Sequence, residues 1–81
     1  MGKYEKLVQK IFSGKANITP AEAMKILERL GFKASSTCGS HRTFRKPERP
    51  SVTIVLTQNP LKSYLVEKLQ KALNNEGYYN D

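Results

Sequence analysis

The chain of 81 residues holds one cysteine, Cys38, and one histidine, His41. A single cysteine excludes an intrachain disulfide, and with it the disulfide-stapled secreted scaffolds. One Cys and one His make no metal-ligand cluster, so neither a metal nor another cofactor is expected. No apolar run approaches the roughly 18 residues needed to span a bilayer. The first stretch, MGKYEKLVQKIF, is charged and amphipathic and lacks the apolar core of a signal peptide. The expected compartment is the cytoplasm, with no membrane partner. Enzyme signatures are also missing: the chain has no glycine-rich nucleotide loop, no Ser–His–Asp set and no paired carboxylates in an apolar setting. Acidic residues are few. Seven Asp and Glu stand against 14 Lys and Arg, giving a formal net charge of +7 and a pI near 9.8. That balance points to a polyanion partner, with nucleic acid ahead of an anionic membrane surface or an acidic protein.

What is present is enough for one small domain, residues 1–81. A chain of this length buries only about 60–65% of its unfolded surface, so any site lies on an exposed sheet face or at an edge. Tyr4, Leu7, Val8, Ile11 and Phe12 recur at helical spacing and predict an amphipathic helix within 1–15, ending near Ser13-Gly14. Its apolar stripe is expected to pack on the protein rather than to enter a membrane. Thr19-Pro20-Ala21-Glu22 fits a capping box, with Thr19 as N-cap, Pro20 in the first helical place and Glu22 reaching back. Ala23, Ile26, Leu27 and Leu30 mark the core face of that second helix, about 20–30. Gly31 ends it, with Phe32 folding back on the last turn.

Residues 33–57 are poor in helix formers, and three strands are predicted at 33–38, 41–46 and 51–57. Gly39-Ser40 supplies a tight turn between the first two, and Pro47-Glu48-Arg49-Pro50 connects the second and third. Val52, Ile54 and Leu56 share one face of the last strand. A final helix is predicted from an Asn59-Pro60 cap to about Asn74, with Leu61, Leu65, Leu69, Ala72 and Leu73 as its stripe, supplemented by Tyr64 and Val66. Asn75-Glu76-Gly77 ends it, and Tyr78 and Tyr79 fall in a tail. Short connections make the sheet antiparallel, so the class is α+β, with helices on one face and the other open.

The stretch CGSHRTFRK places the only histidine in the most basic part of the chain. If Phe44 points into the core, Arg42 and Lys46 share its parity, while His41, Thr43 and Arg45 face outward. Arg42 and Lys46, near the strand ends, can bend their stems outward and keep their charges in water. Imidazole accepts and donates protons near neutral pH. RNA carries its own nucleophile, the 2′-hydroxyl, so its cleavage needs a base, cations for the phosphorane charge and a donor for the leaving oxygen. His41 can supply the base, and Arg42, Arg45, Lys46 or Lys33 the charge. Gly39 and Ser40 can offer backbone N–H groups to a phosphate oxygen. Cys38, three residues from His41 across a turn and of opposite parity, reads as a buried structural thiol. The residues alone leave other readings open: an ordinary surface histidine, a non-catalytic RNA- or DNA-binding module, or an adaptor for an acidic protein.

The run AMKILERLGFKASSTCGSHRTFRKPERPSVTIVL, followed by LKSYLVEKLQKAL, resembles the HicA family of toxins from toxin–antitoxin pairs. The resemblance rests on Leu30-Gly31-Phe32 closing a helix, on Gly39-Ser40-His41 and on Phe44. A proline-containing turn, an apolar third strand and a closing Leu-rich helix complete it. It covers roughly 22–75, within a core of 19–75. It implies an α-β-β-β-α fold similar to the double-stranded-RNA-binding domain, here with an additional N-terminal helix. It also implies an mRNA interferase that cuts mRNA without a metal through the histidine at position 41, and a HicB-like antitoxin partner covering the active face. This chain departs from the pattern in its extra twenty N-terminal residues. It also has Thr57-Gln58-Asn59 where many members carry a second histidine.

Overall fold

The computed structural model describes residues 3–13 and 17–78. In chain order it has α1 (Lys3–Ser13), α2 (Pro20–Arg29), β1 (Lys33–Cys38), β2 (His41–Arg45), β3 (Val52–Val55) and α3 (Ser63–Asn75). The strands form one antiparallel sheet in the order β1-β2-β3, and the helices cover one of its faces. This is the expected α+β architecture. The suggested end of the first helix at Gly14, and Tyr79 in the tail, lie outside the described residues.

Local chemistry accounts for most of the boundaries. The Thr19 hydroxyl accepts from the Glu22 N–H at 3.2 Å, and the Glu22 carboxylate accepts from the Thr19 N–H at 3.0 Å, which completes the capping box. At the other end of α2, Gly31 adopts φ +97°. The Phe32 N–H then reaches Leu27 O at 2.9 Å and the Gly31 N–H reaches Glu28 O at 3.1 Å, a Schellman closure. Phe32 is thereby turned into the core, where it is buried.

The core unites Ile11, Ile18, Ile26, Leu27, Phe44, Ile54, Leu65, Leu69 and Leu73. Val8 and Ile11 bring α1 into it. Lys10 donates to the Glu22 carboxylate at 2.9 and 3.1 Å, and the Gln70 side chain donates to Ile11 O at 2.9 Å, so α1 is tied to both α2 and α3. No described helix is long and apolar enough to cross a membrane.

The boundaries of α3, β2 and β3 differ from expectation. The last helix starts at Ser63, not at Pro60. The Leu61 N–H is engaged by Ile18 O at 2.8 Å, and Lys62 is extended at φ −70°, ψ 158°, so this stretch pairs with the chain before α2 instead of coiling. Leu61 still enters the core, but from outside the helix. Tyr64, counted in the apolar stripe, is half exposed. The strands β2 and β3 are also shorter than predicted, ending at Arg45 and Val55. After β2 the Arg49 N–H closes on Lys46 O at 3.1 Å around Pro47 and Glu48, and that turn takes Lys46 out of the ladder. Glu48 sits at φ 62°, the position of this turn where glycine or asparagine is the unstrained choice.

Candidate nucleic-acid interface

The hairpin between β1 and β2 sets the site. Gly39 has φ +58° as the first of two turn residues, and nothing lies within 4 Å of where a Cβ would stand. A side chain would fit there sterically, but the backbone conformation favours glycine. The turn makes Cys38 and His41 direct partners, followed by Thr37 with Arg42, Ser36 with Thr43, Ala34 with Phe44 and Lys33 with Arg45. On the other side of β2, His41 pairs with Val55 and Thr43 with Thr53.

Directly opposed residues in an antiparallel pair project to the same face. Phe44 is buried against the helices, so His41, Thr43 and Arg45 face out, as their parity predicts. The open face therefore has three rungs. The first is Cys38, His41 and Val55, the second Ser36, Thr43 and Thr53, and the third Lys33 and Arg45. The Thr43 and Thr53 hydroxyls meet at 3.0 Å in the middle rung. His41 and Cys38 are both exposed. Among the described residues the His41 imidazole makes no hydrogen bond or ion pair.

The placement of Cys38 corrects the expectation of a buried thiol on the opposite side. Counting parity through the chain fails at a two-residue turn, because the hairpin folds position 38 back beside position 41. A second correction concerns Lys46. Its ammonium does not bend into water but donates to Leu30 O at 2.8 Å and to Glu76 at 2.7 Å. Arg49 joins the same carboxylate at 2.8 Å. Lys46 thus caps the C-terminal end of α2, the favourable place for a cation, while Arg49 donates to Asn75 O at the end of α3 at 3.2 Å. Arg42 also leans to the helix side, where it donates to Thr37 at 3.3 Å and to the Met24 sulfur at 3.6 Å. Of the cations on and beside β2, Arg45 alone shares the His41 face, with Lys33 across from it on β1.

Sequence reasoning missed Ser35. The register slips between Ala34 and Ser36, leaving Ser35 as the extra residue of a β-bulge. Its hydroxyl accepts from Arg45 Nε at 3.1 Å and donates to Thr43 O at 3.4 Å. No periodicity in KASSTC marks such a bulge, because every residue of β1 is exposed.

Among the described residues the face also carries no competing negative charge. From Arg29 to Val66 the chain has Arg29, Lys33, Arg42, Arg45, Lys46, Arg49 and Lys62 against Glu48 alone. The acids that matter structurally lie elsewhere and are already paired. The hydrogen bonds from Lys46 and then Arg49 hold the Glu76 carboxyl below its ordinary value of 4.5. Burial pushes the Glu22 carboxyl up, but the Thr19 N–H and the Lys10 ammonium outweigh it and leave the group lowered.

A carboxyl depressed by folding stabilises above its unfolded pKa, and the contribution is lost as pH falls through the folded value. The thermal midpoint of the protein should therefore drop as pH falls below 4.5. Glu76→Gln should lower the midpoint at neutral pH and flatten that acid slope in part, with Glu22 supplying the remainder. Circular-dichroism melts between neutral and acid pH measure both. Parallel curves for the two proteins would show that the Lys46–Glu76–Arg49 cluster does not stabilise the fold.

A family profile described as the HicA toxin of bacterial toxin–antitoxin systems matches residues 20–74. The match spans α2, the whole sheet and nearly all of α3, and leaves α1 outside it. No curated protein and no solved structure matches the chain.

Proposed function

Because the chain belongs to the HicA toxin family, the toxins of bacterial toxin–antitoxin pairs, we propose that it is an endoribonuclease that cleaves mRNA on its open sheet face, independently of metal, with His41 as general base. Membership in the family implies a HicB-type antitoxin as partner. The observation that carries the catalytic reading is the position of His41: exposed on a face that holds Lys33 and Arg45 and, among the described residues, no carboxylate.

The chemistry follows from RNA itself. The His41 imidazole takes the proton of a 2′-hydroxyl, and the 2′-oxygen attacks the adjacent phosphorus. The bond from phosphorus to the 5′-oxygen breaks, and that oxygen takes up a proton. The products are a 2′,3′-cyclic phosphate and a 5′-hydroxyl end. Lys33 and Arg45 supply charge to the RNA backbone, with Arg42 at the margin, and the backbone N–H groups of the Gly39-Ser40 turn are free to approach a phosphate oxygen. Lys46 acts on this face only indirectly, since Glu76 holds its charge. Thr57-Gln58-Asn59 brings no second histidine to the end of β3, so water protonates the leaving oxygen.

The test uses an RNA of defined sequence and the same RNA carrying a 2′-O-methyl group at the cut site, both in EDTA. The unmodified RNA should be cut to a cyclic phosphate, the methylated RNA should survive, and DNA should be untouched. Cleavage of the methylated strand, or loss of all activity in EDTA, would refute the mechanism.

A further inference from the structure

We propose that the β-bulge at Ser35 builds a phosphate subsite, in which Ser35 holds Arg45 by its Nε beside Lys33, and that it fixes single-stranded RNA at a set distance from His41. The inference rests on the endoribonuclease reading for the position of the cut, but its binding part stands independently.

Bulges break a ladder to re-aim a side chain. Here the extra residue is the one that grips Arg45. Ser35 has one hydroxyl donor and uses it on Thr43 O, while its oxygen accepts from Arg45 Nε. The guanidinium is thus anchored through one nitrogen, and among the described residues its two terminal nitrogens have no partner. Those two nitrogens form the fork that grips a phosphate by two parallel hydrogen bonds. Lys33, opposed to Arg45 across the strands, adds a second cation, and among the described residues no carboxylate pairs with either. Beyond Arg45 lies a depression of about 390 Å³, lined also by Lys46, Pro47, Arg49 and Ser51, but Glu76 holds the charges of Lys46 and Arg49, so the free cations of the subsite are Arg45 and Lys33.

Distance makes this a separate subsite. Arg45 is four residues from His41 on one strand, about 13 Å at 3.3 Å per residue. That span covers two to four nucleotides, depending on whether the strand is extended or stacked at about 3.4 Å per nucleotide. The rung between them is the Thr43–Thr53 hydroxyl pair, able to meet a sugar or phosphate. Apart from the His41 imidazole no aromatic ring stands on this face among the described residues, so the bases have little stacking platform there. The face therefore reads the sugar-phosphate backbone and tolerates base changes. A duplex is the poorer substrate, because A-form geometry holds the 2′-oxygen out of line with the leaving oxygen.

The experiment walks one methylphosphonate, which removes a single negative charge, along an RNA whose cut site has been mapped. Neutralising one phosphate two to four nucleotides from the cut, on one side only, should lower kcat/KM several-fold. In Arg45→Ala that position should become silent. Ser35→Ala should weaken its effect and Ser35→Thr should restore it. A dinucleotide, which holds only the scissile phosphate and does not reach the subsite, should lose less rate in Ser35→Ala than the long RNA does. In parallel, a 2′-O-methyl strand bound at several salt concentrations should lose about 0.7 from its logarithmic salt slope in Arg45→Ala. If the positional effect persists unchanged in Arg45→Ala and Ser35→Ala, the subsite is wrong while the nuclease stands. If the slope falls but no variant cleaves RNA, the subsite stands and the nuclease reading fails.

Discussion

His41→Ala should cut RNA about 10²–10⁴-fold more slowly than wild type, the usual cost of losing a general base. Stability should hardly move. His41 is exposed, and among the described residues its side chain has no hydrogen bond to lose, so the change belongs with surface substitutions worth about 0.5 kcal/mol or less. RNA affinity should also hold, because the cations that release counterions from the backbone remain in place. The variant would therefore separate chemistry from binding. In cells, expression of wild type without its antitoxin should arrest growth, and expression of His41→Ala should not, although the variant should still capture the antitoxin. Rates on a defined RNA, anisotropy binding and thermal melts measured on one preparation decide the matter. Full activity in His41→Ala would remove the histidine from the mechanism, and collapse of RNA binding would make it a contact rather than a base.

The features of this site that are legible in the sequence are those governed by near neighbours. Thr19 and Glu22 satisfy each other three residues apart, Gly31 supplies a conformation other residues resist, and Gly39-Ser40 closes a two-residue turn. Phe44 fixes the parity that turns His41 and Arg45 outward, so the placement of the catalytic candidate follows from one aromatic residue three positions away. What is not legible depends on distant partners. Lys46 meets Glu76, which lies 30 residues later, and nothing in FRKPERP announces that meeting. Asn59-Pro60 has the form of a helix start, yet Ile18 claims the Leu61 N–H first. The bulge at Ser35 falls in a run of small polar residues whose exposure never alternates, so no pattern betrays its register slip. Cys38 illustrates a different limit: parity holds along a strand and does not carry through a tight turn.

Phe44→Ala should cost about 3–5 kcal/mol, the range for truncating a buried phenylalanine. At roughly 0.05–0.15 kcal/mol per residue, a chain of 81 residues has only about 4–12 kcal/mol in total, so the loss removes at least a quarter of the stability and can remove most of it. The cause is local and specific. Phe44 is 2% exposed on the central strand, paired with Ala34 on one side and Val52 on the other. Neither neighbour can fill the volume it leaves, since alanine is small and Val52 is already committed to the core. The consequence reaches the opposite face. Phe44 is the apolar residue that makes one register of β2 better than its neighbour, and a slip by one residue would turn His41 and Arg45 inward. Phe44→Leu keeps most of the apolar bulk and should cost markedly less. Urea unfolding of both variants gives the energies. RNA cleavage near the temperature of maximal stability then shows whether the folded fraction of Phe44→Ala still works at wild-type rate. A loss below 1 kcal/mol would place Phe44 outside the core and undo the parity on which the position of His41 rests.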